Sequence, residues 1–450
     1  MQNPLQYEPM PKLLRHFAIP SIISMLVSSL YNIVDQIFIG QGVGYLGNAA
    51  TNVAFPLTTI AIALALLIGI GNASRFSIYI GAKDYDQAKK VIGNGIASMF
   101  IASILYVILI FTFLAPLLYA FGATEQIYPY AHTYTMITTW GVPFLITTNV
   151  LSNMIRADGA PKYSMACMLI GAIINTLLDP LFIFVFKMGV AGAAWATVIG
   201  QIVSALMALY YIKQFKNISI SLKDCRFSWK EFLSSSAIGI SSCVNQIAIM
   251  LVQIILNNSM TYYGSFTPYG SEIPLAASGI VMKTNAILLA IIIGLSQGMQ
   301  PIIGFNYGAK QYDRVREIFL LTIKVNLCIS IFGWSLFQFF PAQVLSIFGT
   351  GDALYYEFSI HFMRIFLSMA CINGVQMLAS GFFSAIGKAY KGMILSLTRQ
   401  VLFFIPLALF LPTLFGLDGI LWAAPIADFV AFTVSIILSA KEIKLLKSMS

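Results

Sequence analysis

Apolar positions in this chain fall into long, unbroken runs separated by short polar connections. A helix needs about 20 apolar residues to cross the roughly 30 Å hydrocarbon layer of a bilayer, and runs of that length recur from end to end. They are continuously apolar rather than alternating in short segments, which excludes a β-barrel. Twelve spans are predicted, over roughly 13–39, 50–80, 92–116, 127–155, 162–186, 190–214, 231–262, 275–306, 315–340, 355–385, 391–414 and 419–445. Several exceed the length of a straight crossing, so they tilt or extend past the bilayer. The expected fold is all-α and integral to the membrane.

Composition sharpens this picture. The chain is 58% hydrophobic and 10% charged, with a mean hydropathy of +0.83, a balance that no soluble globular protein needs. Its partner is therefore a lipid bilayer. The formal charge of +9 invites a nucleic-acid reading, but the basic residues form no single patch, and no nucleic acid is expected. They gather in alternate connections, from Lys12 and Arg15 through Lys213–Lys230 to Lys441, Lys444 and Lys447, which together hold 20 of the 26. Only Lys187 falls in a connection on the other side. Basic loops stay cytoplasmic, so both termini are predicted to face the cytoplasm. Met1–Pro11 is polar and leads into a first span too long for the apolar region of a signal peptide. Cys167, Cys225, Cys243, Cys328 and Cys371 show no paired spacing and read as small core residues.

The two halves of the pattern repeat. Gly81-Ala-Lys-Asp-Tyr-Asp86 recurs as Gly308-Ala-Lys-Gln-Tyr-Asp313, shifted by 227. Phe121-Gly122 recurs as Phe348-Gly349, and Gly189-Val-Ala-Gly192 with Trp195 recurs as Gly416-Leu-Asp-Gly419 with Trp422, at the same shift. Ala157-Asp-Gly159 recurs as Ala385-Ile-Gly387 at 228. An N-terminal bundle over 1–220 and a C-terminal bundle over 221–450 follow, six helices each, related by an axis along the membrane normal. The longest basic connection, Lys213 to Glu231, joins them.

Scaffold features are duplicated, whereas a set of polar residues is not. Asn175 and Asp179 stand four apart on one face of the fifth helix, and Pro180 leaves the carbonyl of Thr176 without its usual N–H donor. Asp35 lies in the first span, fifteen residues after Pro20, and Thr197 in the sixth. Their counterparts in the second half are Val401 and Ile405 for the fifth helix, Ile254 for Asp35 and Ala424 for Thr197. A lopsided pair of buried acids points to a site for a proton or a hard cation such as Na⁺, held by Asp35, Asn175, Asp179 and Thr197. Pro20 permits a bend in the first helix, through which loading of Asp35 is coupled to movement. Lys283, in the eighth span, is a candidate cavity charge that repels or selects cations, with snorkelling to the interface as the plain alternative. Arg399 and Asp428, on adjacent spans, are expected to neutralise each other.

At Leu178-Asp179-Pro180-Leu-Phe-Ile-Phe184, Gly189 to Thr197, and Gly294-Leu-Ser-Gln-Gly-Met-Gln300-Pro301 through Gly308, the chain resembles multidrug and toxic compound extrusion (MATE) transporters. The likeness covers both halves and is greatest to the DinF-like branch and its MepA-like bacterial members. It implies two six-helix lobes around a cleft, alternating access, and export of amphipathic, often cationic, organic compounds or drugs in exchange for H⁺ or Na⁺. It also implies coupling roles for Asp35, Asn175, Asp179 and Thr197, contributions from Tyr134 and Asn149 of the fourth helix, and a bending role for Pro20. The NorM-like branch uses acids in its second lobe, whereas span seven here offers Asn245, Gln246 and Gln253 but no acid. A monomer in the bacterial cytoplasmic (inner) membrane is expected, with no cofactor beyond the coupling ion. The rival within the same superfamily is a flippase for lipid-linked oligosaccharides, which would line its cleft with several basic residues and often has fourteen spans. An enzyme would need a nucleophile–base constellation or a metal motif, and the sequence offers neither.

Overall fold

A chain this apolar must satisfy its backbone polar groups internally, and it does so with helices. The structure, a computed structural model, describes residues 3–347 and 353–449, and no strand occurs among them. The repeat member Phe348-Gly349 lies outside the described residues. Helices α1 (Met10–Gly42), α2 (Tyr45–Gly81), α3 (Tyr85–Ala120), α4 (Tyr128–Ala157), α5 (Pro161–Pro180) and α6 (Val190–Tyr211) make up the first half. The second contains α7 (Trp229–Gly264), α8 (Glu272–Gly308), α9 (Tyr312–Phe339), a bent α10 (Ala353–Phe366 and Ala370–Ala385), α11 (Ala389–Leu397 with Ile405–Phe415) and α12 (Leu417–Met449). Ten helices of the described chain are long and apolar enough to cross a membrane, and the two parts of α10, bent by 48°, make an eleventh if taken together. The twelfth expected span, α4, is a 30-residue helix rich in threonine whose inner face is buried among its neighbours.

Two helices widen locally into π-helix, at Leu181–Val185 after Pro180 and at Thr398–Phe404 before Pro406. Proline removes one N–H from the ladder, so the turns around it are free to take an extra residue.

Backbone conformation repeats along with the sequence. Lys83 and Lys310 both take the left-handed conformation, at φ 61° and 57°. Gly159 and Gly387 do so at 85° and 77°, and Gly189 and Gly416 at 60° and 59°. These are helix-end positions where a left-handed residue stops one helix and aims the next.

The halves meet through glycine. A β-carbon on Gly81 would strike the carbonyl of Phe305, and one on Gly308 would strike the carbonyl of Ile78, the residue 227 positions before Phe305. Gly71 and Gly239 let α2 lie against α7 in the same way, and Gly294 and Gly298 let α8 lie on Ile22 and Ala18 of α1. Polar bonds cross at the same level. Arg75 pairs with Glu231 at 2.7 Å, and its guanidinium donates to Ser235 Oγ at 3.1 Å. Arg314 donates to the carbonyls of Leu5 and Glu8, which places this closure at the end that carries the chain termini.

The connection between the halves is pinned by Asp158. Its carboxylate accepts from Tyr211 Oη at 2.9 Å, from Lys216 N–H at 2.7 Å, and from the backbone and side-chain N–H groups of Asn217. Burial pushes the Asp158 carboxyl up from its ordinary range, and these four donors oppose that shift. On the far side of the same end, Glu442 is fully buried between Lys388 and Lys391.

Candidate functional site

Small residues set the geometry of the site. α5 and α6 touch at Gly171 and Gly200, where a β-carbon on Gly200 would lie 2.6 Å from the Gly171 carbonyl. That close approach lets Asn175 of α5 reach across to α6. Its Nδ2 donates to Thr197 Oγ1 at 3.2 Å and to Asp179 Oδ1, one turn along its own helix, at 3.3 Å. Asp179 is fully buried, Asn175 is 3% exposed and Asp35 of α1 is 9% exposed. The Asp35 and Asp179 carboxyls come within hydrogen-bonding reach of each other. Tyr134 of α4 lies beside Thr197 and both acids, and Tyr31 also stands beside both acids. Beside the cluster Ile39, Ile183 and Ala193 form a small apolar floor, and Phe38 meets Phe184 edge-on at 6.3 Å.

The acceptors left over define what the cluster can do. Asp35 Oδ1, Asn175 Oδ1 and Asp179 Oδ2 are buried without a hydrogen-bond partner. Buried polar atoms are nearly always satisfied, so three oxygens of this kind at one spot call for a positive charge or a donor. Two carboxyls this close in a low-dielectric interior cannot both stay ionised cheaply, and a shared proton or a small cation relieves the repulsion. No group of three or more His, Cys, Asp or Glu side chains placed to hold a metal ion occurs among the described residues. The donor set here is oxygen only, which suits a hard cation or a proton and not a soft transition metal.

The structure thus brings together Asp35, Asn175, Asp179, Thr197 and Tyr134. It does not bring Asn149 into this group. Asn149 lies fifteen residues along α4 from Tyr134, about 22 Å at the helical rise, and donates to the Leu145 carbonyl at 2.9 Å. Pro20 sits inside α1, which runs unbroken from Met10 to Gly42, with Ser24 Oγ donating to its carbonyl at 2.9 Å. Lys283 is exposed on α8. Arg399 and Asp428 form the expected ion pair between α11 and α12. Tyr31 is the member that sequence reasoning missed, although its place one turn before Asp35 puts it on the same helix face.

The MatE family description matches residues 20–181 and 242–410, one segment in each half. The chain belongs to the MatE family. Among the relatives of this MATE protein is the multidrug export protein MepA of Staphylococcus aureus (strain NCTC 8325 / PS 47), 27% identical over 422 residues, 93% of this chain and 91% of the relative. MepA of Staphylococcus saprophyticus is 26% identical over 420 residues, covering 92% and 90%. Among solved structures, the MATE multidrug transporter DinF-BH, captured as a ligand complex, is 36% identical with a TM-score of 0.88, covering 96% of this chain and 95% of that one. A MATE protein in a bent conformation matches at 24% identity with a TM-score of 0.89, covering 99% and 97%. This MATE chain is accordingly a multi-pass membrane transporter and not an enzyme, and its likenesses include the DinF-like and MepA-like proteins that the motifs implied.

Proposed function

We propose that this MATE protein is a secondary active exporter of amphipathic, often cationic, organic compounds, driven by inward movement of H⁺ or Na⁺. MepA is by name a multidrug export protein, and DinF-BH is a multidrug transporter solved with a ligand bound. The observation that favours cation coupling is the set of three unpartnered oxygens of Asp35, Asn175 and Asp179, two of them on neighbouring buried carboxyls. In this reading Asp35, Asp179, Asn175 and Thr197 hold the ion, with Tyr134 packed beside them. Loading of Asp35 reaches the rest of the molecule through α1 and Pro20, and Asn149 contributes to the inner wall of the first half rather than to the ion. Halves 1–220 and 221–450 rock about the glycine contacts, closing the end that carries the termini and then parting there. The basic loops favour the cytoplasm of a bacterial cell for that end, and in this reading the protein works as a monomer in the cytoplasmic membrane.

The test is reconstitution into proteoliposomes with a fluorescent organic cation. Imposing first an H⁺ gradient and then a Na⁺ gradient should drive movement of the dye against its own gradient in one case. If neither gradient drives it, the antiport reading is wrong.

A further inference from the structure

Among the described residues the second half shows no unpaired buried acids like Asp35 and Asp179, yet its face toward the first half is not featureless. Gly294 marks the face of α8 that lies on α1 at the terminal end. At 3.6 residues per turn, Lys283 falls within about 20° of that face, three turns nearer the far end. There it is exposed and, among the described residues, makes no ion pair. The same construction applies to α7. Gly239 marks the face that lies on α2, and Gln246, Gln253 and Asn257 follow it within about 40°. All three are half-buried, and Gln253 Nε2 donates to Asn257 Oδ1 at 3.0 Å.

The two stripes come level with each other. α7 ends at Gly264 and α8 begins at Glu272, and a β-carbon on Gly264 would lie 2.9 Å from Pro274 Cγ. Gln253 is eleven residues before the end of α7 and Lys283 eleven after the start of α8, so each lies about 16 Å from the shared turn. The Lys283 ammonium and the Gln253 carboxamide, which keeps a second N–H, thus come to about one depth, with the Asn257 amide one turn nearer the shared end, on faces that lie toward the half holding Asp35 and Asp179. Ionisable residues inside a membrane face the bundle interior or a water-filled cavity and mark the path of what is transported.

We propose that Lys283, with Gln253 and Asn257 beside it, is a specificity-determining subsite for a carboxylate on the transported compound. This rests on the export reading above and names its substrate class: zwitterionic amphiphiles, whose cationic end faces the acidic half and whose carboxylate meets Lys283. Without such a carboxylate, Lys283 repels compounds that carry only positive charge. The ammonium and the Gln253 amide donate to the two carboxylate oxygens in charge-assisted hydrogen bonds, and no bond is made or broken.

The test compares two rhodamines with one chromophore, a free-carboxylate zwitterion and its ethyl ester, a pure cation, in proteoliposomes under the driving gradient. Lys283→Gln should raise KM for the zwitterion about tenfold while leaving KM for the ester unchanged or lower. Lys283→Arg should restore the zwitterion, and Gln253→Ala should weaken it by a smaller factor. Elution as a single monodisperse species in detergent shows that each variant folds. If Lys283→Gln transports both dyes with the wild-type ratio of KM values, the subsite is overturned while the export reading stands. If the wild type moves neither dye, both are overturned.

Discussion

Asn175 makes two bonds that no other residue of the site makes, one to the acid a turn further along its helix and one to the hydroxyl on the neighbouring helix. Replacing it with alanine removes the donor that orients Asp179 and takes from Thr197 Oγ1 the donor it has in Asn175. Asn175→Ala is expected to weaken the apparent affinity for the coupling ion about tenfold while costing about 2 kcal/mol of stability, the usual worth of two such hydrogen bonds. Transport rate as a function of coupling-ion concentration measures the first quantity, and thermal unfolding in detergent the second. These polar residues were legible in the sequence because ionic groups are scarce in apolar runs, so each one that occurs draws attention. Tyr31 was not, since tyrosine is common and an aromatic ring in a span reads as core. Asp158 was hidden for a different reason: its partners Tyr211, Lys216 and Asn217 lie 53 to 59 residues further on, and no local pattern announces them.

At the scale of the helix, the long elements followed from hydrophobic length, and the turns between them from a few residues that stop one helix and start the next. What sequence could not supply was local winding. The 48° bend within α10 depends on how neighbours pack, and no proline lies between its two parts to signal it. A proline alone does not decide the winding either. Pro406 follows a π-helical segment, whereas Pro20 lies within α1 with no break in the helix. The glycines of the repeat are legible as scaffold, and the structure gives the reason: Gly81 and Gly308 each leave room for a carbonyl of the opposite helix. Gly308→Val would force α2 and α8 apart, since the obstacle is backbone that cannot move aside. Labelling of a cysteine placed at Ser77, beside Gly304 on this interface, should rise several-fold in that variant. Unchanged labelling would mean that the glycine contacts do not hold the closure.

Taken as a whole, the molecule is a duplicated helical framework with an unequal distribution of charge. Repeated left-handed turns and reciprocal glycine contacts mark what both halves need in order to fold and to pack on each other. The first half adds buried acids with free oxygens, and the second adds an internally neutralised Arg399–Asp428 pair and an amide-and-lysine face. A carrier needs that inequality. An ion bound in one half changes the energy of closing it against the other only if the site differs between its loaded and empty forms, and unpaired buried carboxyls differ greatly. In this account the acid pair sets which end of the cleft is open, and the glycine and Arg75–Glu231 contacts are the closure that it works against.

The most direct test is gradient-driven dye transport in proteoliposomes by the wild type, Asp35→Asn and Asp179→Asn, each matched for the amount of folded protein. Each substitution is expected to abolish the response to the driving gradient while dye binding to the purified protein persists. Wild-type gradient-driven transport by both variants would contradict it.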